Sequence, residues 1–273
     1  MTLPDLIDTH AHLDMSRFDA DRAGVMARAH AAGVRQIVTI GIDLPSSRKA
    51  LELAKQNAGI FATAGIHPES AAKTTPPDIE ALAGLARQLK MVAIGEIGLD
   101  FHHDYAPPEK QVEVLKWQLE LASKLNLPVV IHSRKSEKEV LGVLKEWLGS
   151  RSHQNPGIIH CFNESLETAR DYLEMGFYLA LGGYIGYPSS RAAREIIKQL
   201  PIERLVLETD SPFLPPQSHR GQRNEPAYVV ETAQELARIK GISFEETARV
   251  TTENARRAFG LKGLSLQLRA NIV

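Results

Sequence analysis

The chain has 273 residues, of which 43% are hydrophobic and 24% are charged, a composition typical of a soluble globular protein with a substantial core. Its 32 Lys and Arg residues nearly balance 33 Asp and Glu residues, so it lacks the basic excess of proteins that coat nucleic acid. Its one cysteine, Cys161, excludes an intramolecular disulfide. Because no signal-peptide pattern or bilayer-spanning apolar run is present, we expect a cytoplasmic enzyme with no membrane contact and no obligate protein partner.

Eight short β-branched runs recur along the chain, each followed by a polar or glycine-containing stop. The predicted strands are LIDTH (6–10), RQIVTIG (35–41), IFATAGIH (60–67), MVAIGEIG (91–98), LPVVIHS (127–133), GIIHCF (157–162), FYLALGG (177–183) and RLVLETD (204–210). Helical spacing predicts helices between them at 19–32, 45–57, 78–90, 108–126, 136–148, 165–175 and 189–199. Two further helices, 227–239 and 244–259, are predicted after the eighth strand.

Near-continuous apolar strands that alternate with amphipathic helices predict a parallel sheet covered by helices. Eight such units in about 250 residues match a (β/α)8 barrel. The alternative is an open doubly wound sheet, but no glycine-rich phosphate loop follows the first strand. We therefore predict the α/β class: one TIM barrel that forms a single domain over residues 1–273, with extra C-terminal helices.

Polar residues collect where the predicted strands end. In a barrel these ends meet at one rim, the carboxyl-terminal face on which (β/α)8 enzymes carry their active sites. The residues are His10, His12, His67, Glu96, Asp100, His132, His160 and Asp210. Side chains alternate along a strand, so the histidines at positions 10 and 12 are expected to point the same way.

Four histidines and two carboxylates that face one centre are typical of a divalent metal site without thiolate ligands. The predicted ligands are His10, His12, Glu96, His132, His160 and Asp210. Six ligands exceed one tetrahedral site, which favours two divalent ions, Zn, Mn or Mg, bridged by a carboxylate. Glu96, from the middle of the strand order, is the predicted bridge. The alternative for a single histidine is a structural role, and for either carboxylate an ion pair with arginine.

Cys161 follows His160 directly and invites interpretation as a nucleophile. Strand alternation instead predicts that its side chain turns away from the rim and packs in the core.

Seven phrases, in order between residues 8 and 226, carry a family resemblance: DTHAHLD, GIHP, GEIGLDFH, LPVVIHSR, IHCF, ETDSPFL and RGQRNEP. Together they resemble the TatD-type metal-dependent hydrolases, within the amidohydrolase-like metal barrels. The resemblance implies one metal held by His10, His12, Glu96 and Asp210, and a second held by Glu96, His132 and His160. It also implies that His67 faces the substrate and that Arg223, Asn224 and Glu225 support the rim or the closing helix.

Two short stretches depart from the family pattern. The stretch IHSRKSEKEV lacks the aspartate that commonly follows the arginine, and HCFNES has Asn163 and Glu164 where small residues are usual. Both stretches lie beside the mouth, so they affect the choice of substrate more than the metal site.

The resemblance implies metal-dependent DNA cleavage, including trimming of single strands from the 3′ end, and other members are linked to deacylation of D-aminoacyl-tRNA. We predict hydrolysis by a metal-activated water, in which Glu96 bridges the ions and Asp210 also accepts the proton. His67 contacts a phosphate oxygen or protonates the leaving group. Arg134 and Arg223 bind phosphate or else form supporting ion pairs.

The expected partner is a DNA end or another phosphodiester or ester. The alternative is amide or ester hydrolysis, of an aminoacyl-tRNA or a small molecule, on the same metals. A metal-binding protein without catalysis is disfavoured because every expected ligand position is filled.

Overall fold

The computed structural model describes residues 4–149 and 155–261, so the ends of the predicted 1–273 domain lie outside the described residues. Within these ranges eight parallel strands form one sheet in the order β1 to β8. The strands are β1 (Leu6–Ala11), β2 (Val34–Thr39), β3 (Ile60–Ala64), β4 (Met91–Asp100), β5 (Val129–Arg134), β6 (Gly157–Ile159), β7 (Tyr178–Leu181) and β8 (Leu205–Leu207). The predicted TIM barrel is confirmed.

The first and last strands close the barrel at their carboxyl ends. Ala11 and Ser211 form a parallel bridge, and the Asp210 amide donates to the His10 carbonyl at 2.8 Å. Further from the rim, between β1 and the residues that follow β8, the buried carboxylate of Asp8 accepts hydrogen bonds from the Thr209 amide at 2.9 Å and from the Thr209 hydroxyl at 2.6 Å. The closure therefore runs directly beneath the residues that were predicted to bind metal.

Nine α-helices lie within the described ranges, with seven of them between consecutive strands. They are α1 (Arg22–Ala31), α2 (Leu44–Gln56), α3 (Pro76–Ala86), α4 (Pro108–Leu125), α5 (Glu137–Leu148), α6 (Leu166–Glu174), α7 (Arg191–Gln199), α8 (Val229–Lys240) and α9 (Phe244–Ala258). None of these described helices is long and apolar enough to cross a lipid bilayer.

Neighbouring positions on a strand pack into two separate cores, as strand alternation requires. Leu6 and Ile37 belong to the core between the sheet and the helices. Their neighbours Ile7 and Val38 belong to a second core inside the barrel. Phe259 and the following turn, just after α9, pack into this inner core and close the barrel at the end opposite the rim.

Several predicted strands were too long at their carboxyl ends. The sixth was expected to reach Phe162, but β6 ends at Ile159 and Cys161 adopts a left-handed φ of 48°. The eighth was expected to reach Asp210, whose φ of 56° likewise lies outside the β region. His160 and Asp210 therefore follow the ends of their strands, where ladder pairing has stopped, whereas His10, Glu96 and His132 lie within theirs.

The third predicted helix was also too long, because α3 ends at Ala86 rather than at Lys90. Lys90 is buried, and its ammonium donates to the carbonyls of Asn57, Ala58 and Ile60 at 3.2, 2.8 and 3.0 Å. This tertiary role overrides the helical pattern of the sequence.

We expect Lys90→Met to lower the free energy of unfolding by about 3 kcal/mol, because three carbonyls lose their shared donor at a buried position. Urea denaturation would measure the change. Lys55→Met is the matched control, since Lys55 is exposed and its one partner among the described residues is Glu52 at 3.3 Å, and it should cost less than about 0.5 kcal/mol. Equal small effects for both variants would show that water replaces the Lys90 ammonium.

Candidate functional site

The predicted metal ligands converge at the carboxyl-terminal mouth of the barrel. A cavity of about 400 Å³ opens there, and its lining includes five of the six: His12, Glu96, His132, His160 and Asp210. The sixth, His10, is 1% exposed and stacks under the His160 ring, with centroids 3.6 Å apart.

One set of donor atoms surrounds His10. Its Nε2 lies 3.3 Å from His12 Nε2 and 3.4 Å from Glu96 Oε2. Asp210 Oδ1 lies 3.4 Å from His12 Nε2 and 3.8 Å from His10 Nε2. Both N-terminal imidazoles thus aim at one point, as their spacing along the chain predicts.

These separations fit a divalent cation. Ligands held at about 2.0–2.2 Å around a tetrahedral ion lie roughly 3.4 Å from one another, and four of the pairs among these atoms are 3.3–3.8 Å apart. Among the described residues, neither His10 Nδ1 nor His12 Nδ1 has a hydrogen-bond partner. The two inward Nε2 atoms face each other at hydrogen-bond distance, and a cation between them would replace the proton that one of them otherwise carries.

A second set of donor atoms surrounds the other oxygen of Glu96. Glu96 Oε1 lies 2.9 Å from His132 Nδ1, and 3.9 Å from the Nε2 atoms of both His160 and His67. One carboxylate thus offers an oxygen to each set, which is the arrangement of a bridging ligand. Nitrogen and oxygen donors without sulfur suit Zn, Mn or Mg.

Charge in the cluster is balanced between carboxylates and imidazoles. Burial alone would raise the pKa of Glu96, but the imidazoles of His10 and His160 hold it well below its usual value. Burial alone would lower the pKa of His160, but Glu208, Glu96 and Asp210 raise it to about 10. The carboxylates are therefore stable as anions only beside positive charge. A bound cation would supply that charge in place of the protons that the imidazoles lose when they bind it.

A glycine lets the two central strands approach closely at the site. Gly98 on β4 pairs with His132 on β5 and has a φ of +151°, which side-chain-bearing residues rarely adopt. A Cβ at this position would lie 1.9 Å from the His132 carbonyl oxygen. The glycine thus allows Glu96 and His132 to meet.

His67 is a neutral hydrogen-bond donor in this arrangement. Its Nδ1 accepts from the Glu69 amide at 3.2 Å, so the neutral ring carries its proton on Nε2, toward Glu96 and the cavity. Burial lowers the pKa of His67 to about 3. This geometry supports contact with a substrate oxygen and argues against the predicted alternative of protonating the leaving group.

The structure adds a partner for His160 that the sequence analysis overlooked. Glu208, fully buried, accepts from His160 Nδ1 at 2.9 Å and from the Cys161 amide at 2.8 Å. This bond leaves His160 Nε2 facing the cluster. The available signal was the presence of a carboxylate directly after the apolar run LVL.

Asp100 was placed at the rim by the sequence but given no role. Its Oδ2 lies 2.8 Å from His103 Nδ1 and 3.6 Å from His132 Nε2. Asp100 therefore fixes His103 and faces the outer nitrogen of His132.

The two arginines predicted to bind substrate have different surroundings. Arg134 lines the cavity, and within the described part of the chain its guanidinium has no hydrogen bond or ion pair. Arg223 instead binds Asp21 at 2.7 Å, Glu225 at 2.8 Å and the Arg17 carbonyl at 2.7 Å. Both terminal nitrogens of Arg223 are thus engaged in the supporting ion pairs that were the alternative to phosphate binding.

The expected position of Cys161 also needs correction. The side chain packs partly against the outer core, but it also lines a second cavity beside the mouth together with His160 and Asp210. Alternation fails because the strand ends two residues earlier. Burial raises the pKa of the Cys161 thiol well above its usual value, which disfavours a nucleophilic role.

Asn224 and Glu225 brace the loop after β8, as the resemblance implies. The buried Asn224 amide donates to the carbonyls of Thr209 and Phe213, at 2.8 and 2.6 Å. Glu225 pairs with Arg28 on α1 at 2.8 Å. The loop that carries Asp210 is therefore tied to the body of the barrel.

Comparison with known proteins identifies the family. The model of the family described as TatD related DNase matches residues 7–260. The chain belongs to the TatD family. As a member of it, the chain is a metal-dependent hydrolase.

Similar TatD-family proteins match over almost their full length. The chain is 42% identical to the uncharacterized metal-dependent hydrolase YabD of Bacillus subtilis, with 93% of this chain and 98% of that protein aligned. It is 35% identical to the 3′-5′ ssDNA/RNA exonuclease TatD of Klebsiella pneumoniae, over 94% and 98%. The crystal structure of YJJV, a TatD homologue from Escherichia coli K12, superposes with a TM-score of 0.87 at 32% identity, covering 93% and 98%.

We expect Glu96→Gln to weaken the affinity for a divalent metal at least tenfold, because both donor sets lose a charged oxygen. Elemental analysis after dialysis against Zn or Mn would measure metal content. His30→Gln, on the exposed face of α1, is the matched control and should retain wild-type content. Unchanged metal in Glu96→Gln would remove Glu96 from the centre.

Proposed function

We propose that this protein is a phosphodiesterase that trims single-stranded DNA from the 3′ end, using two divalent ions. The observation that carries the proposal is the pair of donor sets sharing Glu96 at the floor of an open cavity. A pair of divalent ions held by these residues would supply the charge that stabilises the attacking and leaving oxygens of a phosphodiester. The names of relatives such as the Klebsiella pneumoniae exonuclease support the choice of nucleic acid.

In this proposal His10, His12 and Asp210 would hold one ion, His132 and His160 would hold the other, and Glu96 would contribute an oxygen to each. The cations, Zn, Mn or Mg, would make a water more acidic and stabilise negative charge at the phosphoryl group. Asp210 is the proposed proton acceptor, because its side chain is 14% exposed and lines the cavity above the cluster.

The substrate is held by groups on the side of the mouth formed by β3, β4 and β5. His67 donates a hydrogen bond from its Nε2–H to a phosphoryl oxygen, and Arg134 offers a guanidinium without a partner in the described residues. Water forms a bond to phosphorus, its proton passes to Asp210, and the P–O3′ bond breaks. The shortened strand leaves with a 3′ hydroxyl after protonation from solvent, and a 5′-mononucleotide is released.

The overall charge of −1 does not oppose this proposal. Affinity for long nucleic acid comes from many basic contacts, whereas an enzyme that trims ends needs positive charge only at the scissile group. A cytoplasmic location is part of the proposal and rests on the single cysteine.

The test uses metal-free protein loaded separately with Mg, Mn or Zn. A single-stranded oligonucleotide labelled at its 5′ end should yield a ladder of shortening products, and one labelled at its 3′ end should yield labelled mononucleotide at once. Glu96→Gln should lower kcat/KM by at least about 10³-fold, and His30→Gln should not. Cleavage of D-aminoacyl-tRNA, small amides or esters, with every oligonucleotide intact, would replace the nuclease assignment and retain the hydrolase.

His67→Gln provides a separate test of the proposed donor. We expect kcat to fall by about 10²-fold with KM little changed, since the bond to the phosphoryl oxygen strengthens as negative charge develops. The pH profile of kcat from about pH 5 to 9 should keep its shape, because the pKa of about 3 leaves His67 neutral throughout. Loss of an alkaline limb in the variant would instead identify His67 as a general acid.

A further inference from the structure

Exposed apolar side chains concentrate at the mouth of the barrel. Within the described residues five large apolar side chains are exposed, and three of them, Tyr105, Phe213 and Leu214, line the cavity above the metal cluster. The other two are Leu89, two residues before β4, and Ile242, between α8 and α9. Exposed apolar groups that gather in one cavity indicate a binding surface rather than incidental exposure.

The two aromatic rings lie on opposite sides of the opening. Tyr105 follows β4 and Phe213 follows β8, and these strands face each other across an eight-stranded barrel. The Tyr105 ring centroid is 6.4 Å from that of His67, and the Phe213 centroid is 5.9 Å from that of His12. Each ring therefore adjoins one side of the proposed reaction centre.

Each ring also has a cation near it. The Arg17 guanidinium carbon lies 5.7 Å from the Phe213 centroid. Arg134 lies at the end of β5, paired in register with Asp100 at the end of β4, and lines the same cavity as Tyr105. A nucleotide combines a flat π-face with an adjacent phosphate, so an aromatic ring beside a guanidinium matches both parts.

The surroundings hold both rings in place. Asn224 donates to the Phe213 carbonyl at 2.6 Å, so the backbone of that loop is fixed from below. The Tyr105 ring packs on His103, with centroids 4.9 Å apart, and His103 is bonded to Asp100. Rings that are ordered before binding lose little entropy when a base stacks on them.

We propose that Tyr105 and Phe213 form a base clamp that stacks the terminal nucleobases of a single strand on either side of the metal cluster. The inference rests on the proposed function and deepens it. A paired base inside a duplex is already stacked on its neighbours and cannot enter between the rings. The clamp therefore selects single-stranded ends through the π-faces of the bases, with no requirement for sequence.

The probe is an oligodeoxynucleotide with 2-aminopurine as its last 3′ base, mixed with metal-free protein so that no cleavage occurs. Stacking on Tyr105 or Phe213 should quench its fluorescence. Phe213→Ala, Phe213→Leu and Tyr105→Ala should each weaken binding about tenfold and reduce the quench, since stacking contributes about 1–3 kcal/mol per base. Phe213→Trp should keep wild-type binding and the wild-type quench, because tryptophan retains an aromatic face on which the base can stack.

Leu89→Ala and Ile242→Ala are matched controls, as both remove exposed apolar groups away from the cavity, and they should bind the probe like the wild type. Binding by Phe213→Leu equal to that of the wild type would overturn stacking. Stacking would also be overturned if the Phe213 and Tyr105 variants hydrolysed a small aromatic ester more slowly but bound the strand as the wild type does, since the rings would then contact a different ligand.

A kinetic comparison separates this inference from the proposed function. Wild-type enzyme should trim a normal 3′ end about 100-fold more efficiently than one whose last two nucleotides are abasic, because both stacking contacts are then lost, and Phe213→Ala should lower this ratio about tenfold. If the wild type trims both ends at equal rates, the base clamp is wrong while the nuclease stands. If the probe binds and is quenched but no phosphodiester is cleaved, the nuclease assignment is wrong while the clamp stands.

Discussion

Two carboxylates that need positive charge, the buried Glu96 and the largely buried Asp210, are the constraint on which this structure depends. Both lie at the end of a barrel with little access to water, and such a charge costs several kcal/mol unless it is compensated. Compensation comes from imidazoles on three other strands or their ends. The barrel must close for this to happen, because the bond from the Asp210 amide to the His10 carbonyl joins the first strand to the last within the site itself. Fold and site are therefore stabilised by the same contacts.

Strand positions and metal-site candidates could be read from the sequence because both follow from simple repeats. Apolar runs mark buried parallel strands, and a polar residue that ends such a run has few places to go except the rim. Where each strand ends could not be predicted, since left-handed residues such as Cys161 and Asp210 are chosen by tertiary contacts. The same limit explains the error about the direction of the Cys161 side chain.

Partnerships between distant residues were equally hidden from the sequence. Arg223 carries a charge suited to phosphate, and only the fold shows that its guanidinium already binds Asp21, 202 positions away. Glu208 was overlooked because its partner His160 lies 48 positions earlier. Arg134 differs only in having no such partner among the described residues. A free guanidinium and a paired one look alike until the chain is folded.

The inner core prevents a ligand from passing along the axis of the barrel. Ile7, Val38 and their counterparts on the other strands fill the barrel from wall to wall, and Phe259 packs beneath them. A ligand that reaches the rim cannot thread through to the far end, so it must withdraw by the path along which it arrived. If the substrate is a polymer cleaved one unit at a time, each released unit leaves through the same opening that the remaining strand occupies. The strand must therefore move outward to let the product leave before its new end can bind.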